Sequence, residues 1–339
     1  MHAMIGAIEY HLPSSKLTTA DLATRFPEWA IEKTDAKTGI RQRSIVSGDD
    51  CASDLAVAAA EALFRSGRCA REEIDFILLC TQSPDYVLPT TACLLQERLR
   101  ISKAAGALDF NLGCSGFVYG LGLASGLIRT NQASSIILLT AETYSKYLAF
   151  NDKGTRAIFG DGAAATWITG GKKIRPSIGP FVYGTDGRGS DNLIVPNSAS
   201  RRSGVRKPTT NMQVTDCSAS QSLFMDGNKL FAFAVETVPK AVIALLRKSS
   251  LSMRDIELFV FHQANAYLIE EIRKGLGVPE DRVQITIGHC ANTVSSTIPI
   301  ALKHAELEGK LKSGDRVMLV GFGVGYSWGA TIVRWSSIQ

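Results

Sequence analysis

The chain has 339 residues with 45% hydrophobic content, enough to bury one large core or two ordinary ones. Its formal net charge of +5 is mild; it suits solubility or attraction to an acidic or phosphate-bearing partner, while sparse aromatics and the lack of a basic helix argue against nucleic acid. The cysteines at 51, 69, 80, 93, 114, 217 and 290 include no CxxC pair, which weakens zinc and redox-motif readings, predicts no metal, and fits a reducing cytoplasm.

The opening "MHAMIGAIEYHLPSS" lacks the basic start and long apolar run of a signal peptide. "SDLAVAAAEALFRSG" has the apolar spacing of an amphipathic helix. "REEIDFILLCTQSPD" follows as a charged lead, a continuous apolar strand and a polar turn. Next comes "GALDFNLGCSGFVYGLGLA", a strand, a tight turn and a helix rich in small residues. "SSIILLTAETYS" reads as another buried strand, and "IFGDGAAATWITG" as a turn into one more. The polar, turn-rich stretch over 187–220 predicts a loop or cap.

The pattern then returns. "VPKAVIALLRKSSLS" matches the first helix, and "MRDIELFVFHQANAY" matches the first strand unit roughly 180 residues later. "VQITIGHCANTVSSTIPIAL" echoes the strand–turn–helix, and "DRVMLVGFGVGYS" echoes the strand after it. The most apolar stretch, "RVMLVGFGVGYSWGATIV", is too short and too broken by Gly, Tyr and Ser to span a membrane, and predicts two strands meeting at a turn. The expected organisation is two related α/β halves, 1–175 and 221–339, joined by a cap or connecting region over 176–220.

Three polar residues fall at equivalent strand ends, where α/β folds build their sites: Cys114, His262 and Asn292. Cys114 would also sit at a helix N-terminus, where orphan N–H groups favour a thiolate and lower its pKa. Taken singly, Cys114 reads as a small core residue and His262 as a satisfied buried histidine. Their coincidence at matching turns favours a site. His2, His11 and His304 read as surface residues, and His289 precedes the turn that carries Asn292.

"DFNLGCSGFVYGL", "FHQAN", "NTVSSTIPIAL" and "GFGVGYSWG", with "TGIRQR" and "IFGDGAAA", together resemble the β-ketoacyl-acyl-carrier-protein synthase III family of the thiolase superfamily. The resemblance runs in order along nearly the whole chain. It implies a duplicated αβαβα five-layer thiolase-like fold, a homodimer, and a catalytic set of Cys114, His262 and Asn292. Thiolases would carry a second Cys near "GFGVGYSWG", and elongating synthases a second His where Asn292 stands; neither is present.

The implied reaction is acyl transfer to Cys114, then decarboxylative Claisen condensation with a malonyl thioester. Coenzyme A or phosphopantetheine thioesters are substrates, with no bound cofactor, and acyl-CoA, malonyl-acyl carrier protein and the docking carrier protein are the partners. His262 and Asn292 would donate to the thioester carbonyl as charge develops on it. The backbone N–H groups of Cys114 and the turn at Val324 would hold the tetrahedral oxyanion, with Phe322 beside the cysteine. Asn265, Gly227 and Asn228 match positions lining the pantetheine tunnel; Asn228 also reads as a helix N-cap and Phe322 as a core aromatic. Leu88, Tyr144 and Phe159 match the acyl pocket, Leu88 reaching into the neighbouring subunit. Lys37, Lys153, Arg273 and Lys274 match coenzyme A or carrier contacts.

The chain departs from the acetyl-primed members at several of these points. Val324 replaces a Gly, Leu88 an aromatic, Tyr144 a smaller aliphatic, and Tyr267 an Arg; Lys33 and Lys153 stand where Trp and Arg clamp the adenine. Arg201, Arg202, Arg206 and Lys207 crowd the cap, though like Arg273 and Lys274 they also read as a solvated face. These changes point to a specialised primer rather than plain acetyl-CoA. An alternative keeps the fold but passes the acyl group to an alcohol or amine. A papain-type hydrolase shares the order Cys, His, Asn but lacks its own signature here, and a non-catalytic subunit would not need the full triad.

Overall fold

The computed structural model describes residues 1–171, 177–201 and 222–336. Strand alternation organises it. In Ser135–Glu142 every residue is buried, with Ile136 and Leu138 facing one core and Ile137, Leu139 and Ala141 another. The second half repeats this: Leu258 and Val260 of Leu258–Phe261 enter the core shared with Ile136, while Phe259 and Phe261 enter a third. The period of two sends each continuous apolar strand into two cores at once. Each fully buried Leu or Ile contributes about 1.5–3 kcal/mol.

Two sheets result. The first runs His2–His11, Gly162–Gly171, Ser135–Glu142, Phe76–Cys80, Gly106–Phe110. The second runs Leu258–Phe261, Arg316–Gly323, Ser327–Arg334, Ile178–Thr185. Read from opposite ends, the two share one order, except that the second lacks the counterpart of Gly106–Phe110. The stretch over 283–287, expected as that strand, makes a single bridge, Phe259 to Val283, and passes into the short helix Ile287–Cys290. Polar Gln284 and Thr286 are spent on side-chain contacts with Glu308 and Gln263 rather than on a ladder.

Helices Gly116–Arg129 and Thr297–Leu307 lie in the central core between the sheets. Ala52–Arg65 and Thr91–Arg98 cover the outer face of the first sheet. Gly227–Ser249 and Ala266–Leu276 cover that of the second. Helix, sheet, helix, sheet, helix is the five-layer stack. The segment expected as a cap, 176–220, supplies the edge strand Ile178–Thr185, so the second half begins before the excursion. Arg202, Arg206 and Lys207 lie outside the described residues. No helix among the described residues is long and apolar enough to cross a membrane.

Candidate active site

Cys114 ends the turn between strand Gly106–Phe110 and helix Gly116–Arg129, and it is 5% exposed. Strand Arg316–Gly323 of the other half passes directly against it. A Cβ on Gly321 would lie 2.7 Å from the Cys114 carbonyl oxygen, and one on Gly323 would lie 2.9 Å from Sγ. Only glycine permits that approach. The following turn is tied in place: Ser327 Oγ donates to the Val324 carbonyl (2.9 Å), which leaves Ser115 Oγ to donate to Ser327 (2.7 Å). The backbone N–H groups of Val324 and of Cys114 itself are placed so that each favours the charged form of the thiol. Val324 thus keeps the N–H that matters while carrying a β-branched side chain.

The expected low thiol pKa is not found. Burial, with Glu142 adding to it, pushes Cys114 up to about 12, and the two N–H groups only partly counter this. Desolvation in a closed core outweighs the partial charge of one helix end. Glu142 is the residue the sequence reading missed. It is fully buried at the end of Ser135–Glu142, pushed up to about 8 by burial, and accepts from Gln82 N–H (3.0 Å), Ser83 Oγ (3.2 Å) and Ser295 Oγ (2.7 Å). A carboxylate closing an otherwise apolar strand was the available signal.

His262 follows strand Leu258–Phe261 and is 2% exposed. Burial pushes it down to about 3, so the ring is neutral. Its Nδ1 lies 2.7 Å from Thr297 Oγ1, and its edge meets Phe322, with centroids 5.6 Å apart. Asn292 is held across the two halves: its N–H donates to Ile158 O (3.1 Å), and its carbonyl accepts from Gly160 N–H (3.0 Å). Its side-chain Oδ1 accepts from Val294 N–H (2.9 Å), which turns the NH2 outward as a donor.

Cys114, His262 and Asn292 line one cavity of about 500 Å³. Gly227, Asn228 and Asn265 line the same cavity, as do Phe159 and Phe322. Asn228 is not the N-cap: Asp226 caps Gly227–Ser249 by accepting from Lys229 N–H (3.1 Å), which leaves Asn228 in the first turn facing the cavity. Asn265 both caps Ala266–Leu276 and lines the cavity. At the outer end Tyr267 stacks on Phe231, and Lys37 stands over the Tyr267 ring.

Other expected contacts are placed differently. Tyr144 is buried in the cluster around Cys114, donating to Gln82 Oε1 (2.6 Å) and packing on Phe159. Leu88 is 79% exposed and outside this chain's own cavity. Lys153 pairs with Glu28 (3.7 Å). Arg273 is bound to Glu270 (2.6 Å) and to the Val278 carbonyl, so it closes its own helix end; Lys274 pairs with Glu270 and Glu271. His304, expected at the surface, is half-buried against the Tyr10 hydroxyl (3.1 Å). No three His, Cys, Asp or Glu side chains among the described residues are grouped to hold a metal ion.

Two sheets of one strand order around paired central helices, with polar strand ends meeting in a single cavity, define the thiolase-like class. Residues 108–187 match the description 3-oxoacyl-[acyl-carrier-protein (ACP)] synthase III, and residues 246–335 match its C-terminal part. The chain is 38% identical over 300 residues to a β-ketoacyl-[acyl-carrier-protein] synthase III from Clostridium tetani, covering 88% of each. A solved 3-oxoacyl-(acyl-carrier-protein) synthase III superposes with a TM-score of 0.94 at 46% identity, over 99% of this chain and 100% of that one. The priming β-ketosynthase of the R1128 polyketide pathway superposes with a TM-score of 0.88 at 26% identity, over 100% and 97%. The chain belongs to the β-ketoacyl-acyl-carrier-protein synthase III family, the decarboxylating acyltransferases of the thiolase superfamily.

Proposed function

We propose that Cys114 takes an acyl group from a coenzyme A thioester and condenses it with malonyl carried on acyl carrier protein. The observation that carries this is the convergence of Cys114, His262 and Asn292 in one cavity of about 500 Å³ with an exposed Lys37–Tyr267 end. The Cys114 sulfur attacks the thioester carbonyl, the carbon–sulfur bond to coenzyme A breaks, and the proton of the Cys114 thiol ends on the departing coenzyme A thiol. The oxyanion of that step rests on the N–H groups of Cys114 and Val324. Malonyl then loses CO2, and the released electron pair forms an enolate whose oxygen accepts from His262 and Asn292. The enolate carbon attacks acyl-Cys114, a carbon–carbon bond forms, and the thiolate is returned. Gly227, Asn228 and Asn265 line the pantetheine path, and Lys37 meets phosphates near the entrance.

A neutral His262 fits this role, because a donor without full charge matches a negative charge that exists only in the transition state. Tyr144, Phe159 and the Leu88 of a second copy bound the acyl group, and the departure of Tyr144 and Leu88 from the acetyl-primed pattern favours a specialised primer. Homodimer formation is supported by the edge strand Gly106–Phe110, paired on one side only, with Leu108 exposed on it. The reduced cytoplasm suits a free catalytic thiol.

Intact-protein mass spectrometry with a panel of acyl-CoA thioesters tests the reading. The wild type gains the acyl mass and Cys114→Ala does not. Asn292→Ala keeps loading but loses CO2 release by about 10²–10³-fold, the scale of one oxyanion donor. Equal loss of both steps would contradict the roles assigned. Loading without CO2 release from malonyl thioester, with transfer to an alcohol or amine, would instead select the acyltransferase alternative.

A further inference from the structure

Cys114 borders the cavity on one side and a packed apolar cluster on the other. Tyr144, Leu148, Leu223 and Val294 belong to that cluster, and none of them lines the cavity. Tyr144 is the largest of the four and is 4% exposed. During loading the pantetheine arm of the donor occupies the tunnel, so the acyl chain on Cys114 has to enter the cluster. The phenol that blocks it is not held by packing alone. Its hydroxyl donates to Gln82 Oε1 at 2.6 Å. Gln82 is itself fixed on every side: its N–H donates to Glu142 (3.0 Å), and its carbonyl accepts from the Tyr147 hydroxyl (3.2 Å). Its amide nitrogen donates to Asn111 Oδ1 (3.1 Å), which leaves Oε1 for the phenol. The amide lies so close to the nucleophile turn that a Cβ on Gly113 would collide with Oε1. From that post the Tyr144 ring reaches Phe159, with centroids 5.2 Å apart, and meets Tyr147 edge-on at 5.9 Å.

We propose that Gln82 is a specificity-determining residue for primer loading: its hydrogen bond to Tyr144 latches the ring across the acyl side of Cys114 and sets the longest chain the thiol can take. Gln82 does not line the cavity, so it acts from behind the wall, through the phenol. A latch differs from plain bulk in what it predicts. If Tyr144 worked by volume, a phenylalanine ring would block the chain equally well. If the latch works, a phenylalanine ring has no post to hold it, and it gives way to incoming methylenes. Gln82 is then the residue to change, although its side chain never touches the primer. The inference rests on the loading step proposed above, because only a chain carried on Cys114 meets this wall.

Four proteins test it: wild type, Tyr144→Phe, which keeps the ring without the hydroxyl, Gln82→Met, which keeps the length without the amide, and the double variant. Loading of Cys114 is timed by intact-protein mass spectrometry with acetyl-, butyryl-, hexanoyl- and octanoyl-CoA, and the ratio of octanoyl to acetyl rates is read. Wild type should load octanoyl more slowly than acetyl by about tenfold or more, since the added methylenes must enter a packed cluster. Tyr144→Phe and Gln82→Met should each raise the ratio by about two- to tenfold, the range of one ordinary hydrogen bond. The double variant should raise it no further than either single one, because both remove the same bond. A wild type that takes octanoyl as readily as acetyl, a Tyr144→Phe ratio equal to wild type, or additive effects in the double variant would overturn the inference. If Gln82→Met does not fold, Tyr144→Phe decides it alone. A wild type that takes an acyl group from none of the thioesters would defeat the loading step, and the inference with it, whereas loading without length dependence would defeat the latch and leave the loading step standing.

Discussion

Glu142 and Cys114 are both buried, and the Glu142 charge makes ionisation of the Cys114 thiol harder. In Glu142→Gln the hydrogen bonds from Gln82, Ser83 and Ser295 can be largely kept while the charge is gone. The rate of Cys114 alkylation by iodoacetamide, followed from pH 7 to 11, should then rise at lower pH than in wild type; an unshifted profile would show that burial alone holds the thiol. The stability consequence has a definite sign. The folded pKa of Glu142, about 8, lies above its unfolded value, so the unfolded chain releases the proton first and stability falls as pH rises toward 8. His262 works in the other direction. Its folded pKa of about 3 lies below the unfolded value, so stability is full above about 6.5 and is lost as pH falls toward 3. The roles of Thr297 and Ser295 were not legible in the sequence, because a hydroxyl in a small-residue stretch looks the same whether it faces an imidazole, a carboxylate or another helix.

The elements that carry the site are held together by backbone approach rather than by long side chains. Strand Arg316–Gly323 passes Cys114–Ser115 so closely that a Cβ at Gly321 would be 2.7 Å from both the Cys114 carbonyl oxygen and Ser115 Cα. Those are backbone atoms and cannot swing aside. Gly321→Ala should therefore cost about 1–3 kcal/mol in urea unfolding and slow acyl loading by moving Val324 N–H away from the sulfur. An unchanged midpoint and loading rate would mean that the two halves slide apart freely at this point. Buried Arg43 is the exception, a long side chain that fixes the turn carrying Phe159. It donates to Ala157 O (2.8 Å) and Ile40 O (3.3 Å) and so joins the "TGIRQR" segment to the turn that also holds Asn292. Strand and helix patterns were readable because period two and period 3.6 are local. The failed strand at 283–287 has the right alternation, but the Gln284 side chain and the Thr286 N–H are bonded across the fold rather than along a ladder.

At the scale of the whole molecule, one chain supplies the tunnel but leaves an apolar margin uncovered. Tyr86, Val87 and Leu88 are exposed in one run, and Leu108 is 45% exposed on the unpaired edge of the first sheet. The proposed homodimer would cover this margin with a second copy. Leu108→Asp should convert a dimer to monomer in sedimentation velocity. Leu88→Phe should leave assembly intact and narrow the range of acyl groups loaded on Cys114. A Leu108→Asp protein that sediments as wild type, or an unchanged acyl profile in Leu88→Phe, would remove the partner from the acyl pocket.

By itself the sequence determined the duplicated α/β plan, the strand-end positions of Cys114 and His262, and the family, because buried strands and strand-end turns leave local, ordered signatures. Only the tertiary structure decided the ionisation of those groups and their neighbours. Burial pushes Cys114 up and His262 down, against the helix-end argument in the first case, and it sets Glu142 behind the nucleophile from a strand that carries no site motif. It also decided which basic residues are free: Arg273 is taken by Glu270 and its own helix end, whereas Lys37 is left at the mouth beside Tyr267. Desolvation and partner choice are properties of what surrounds a side chain in space, and a linear pattern does not contain them.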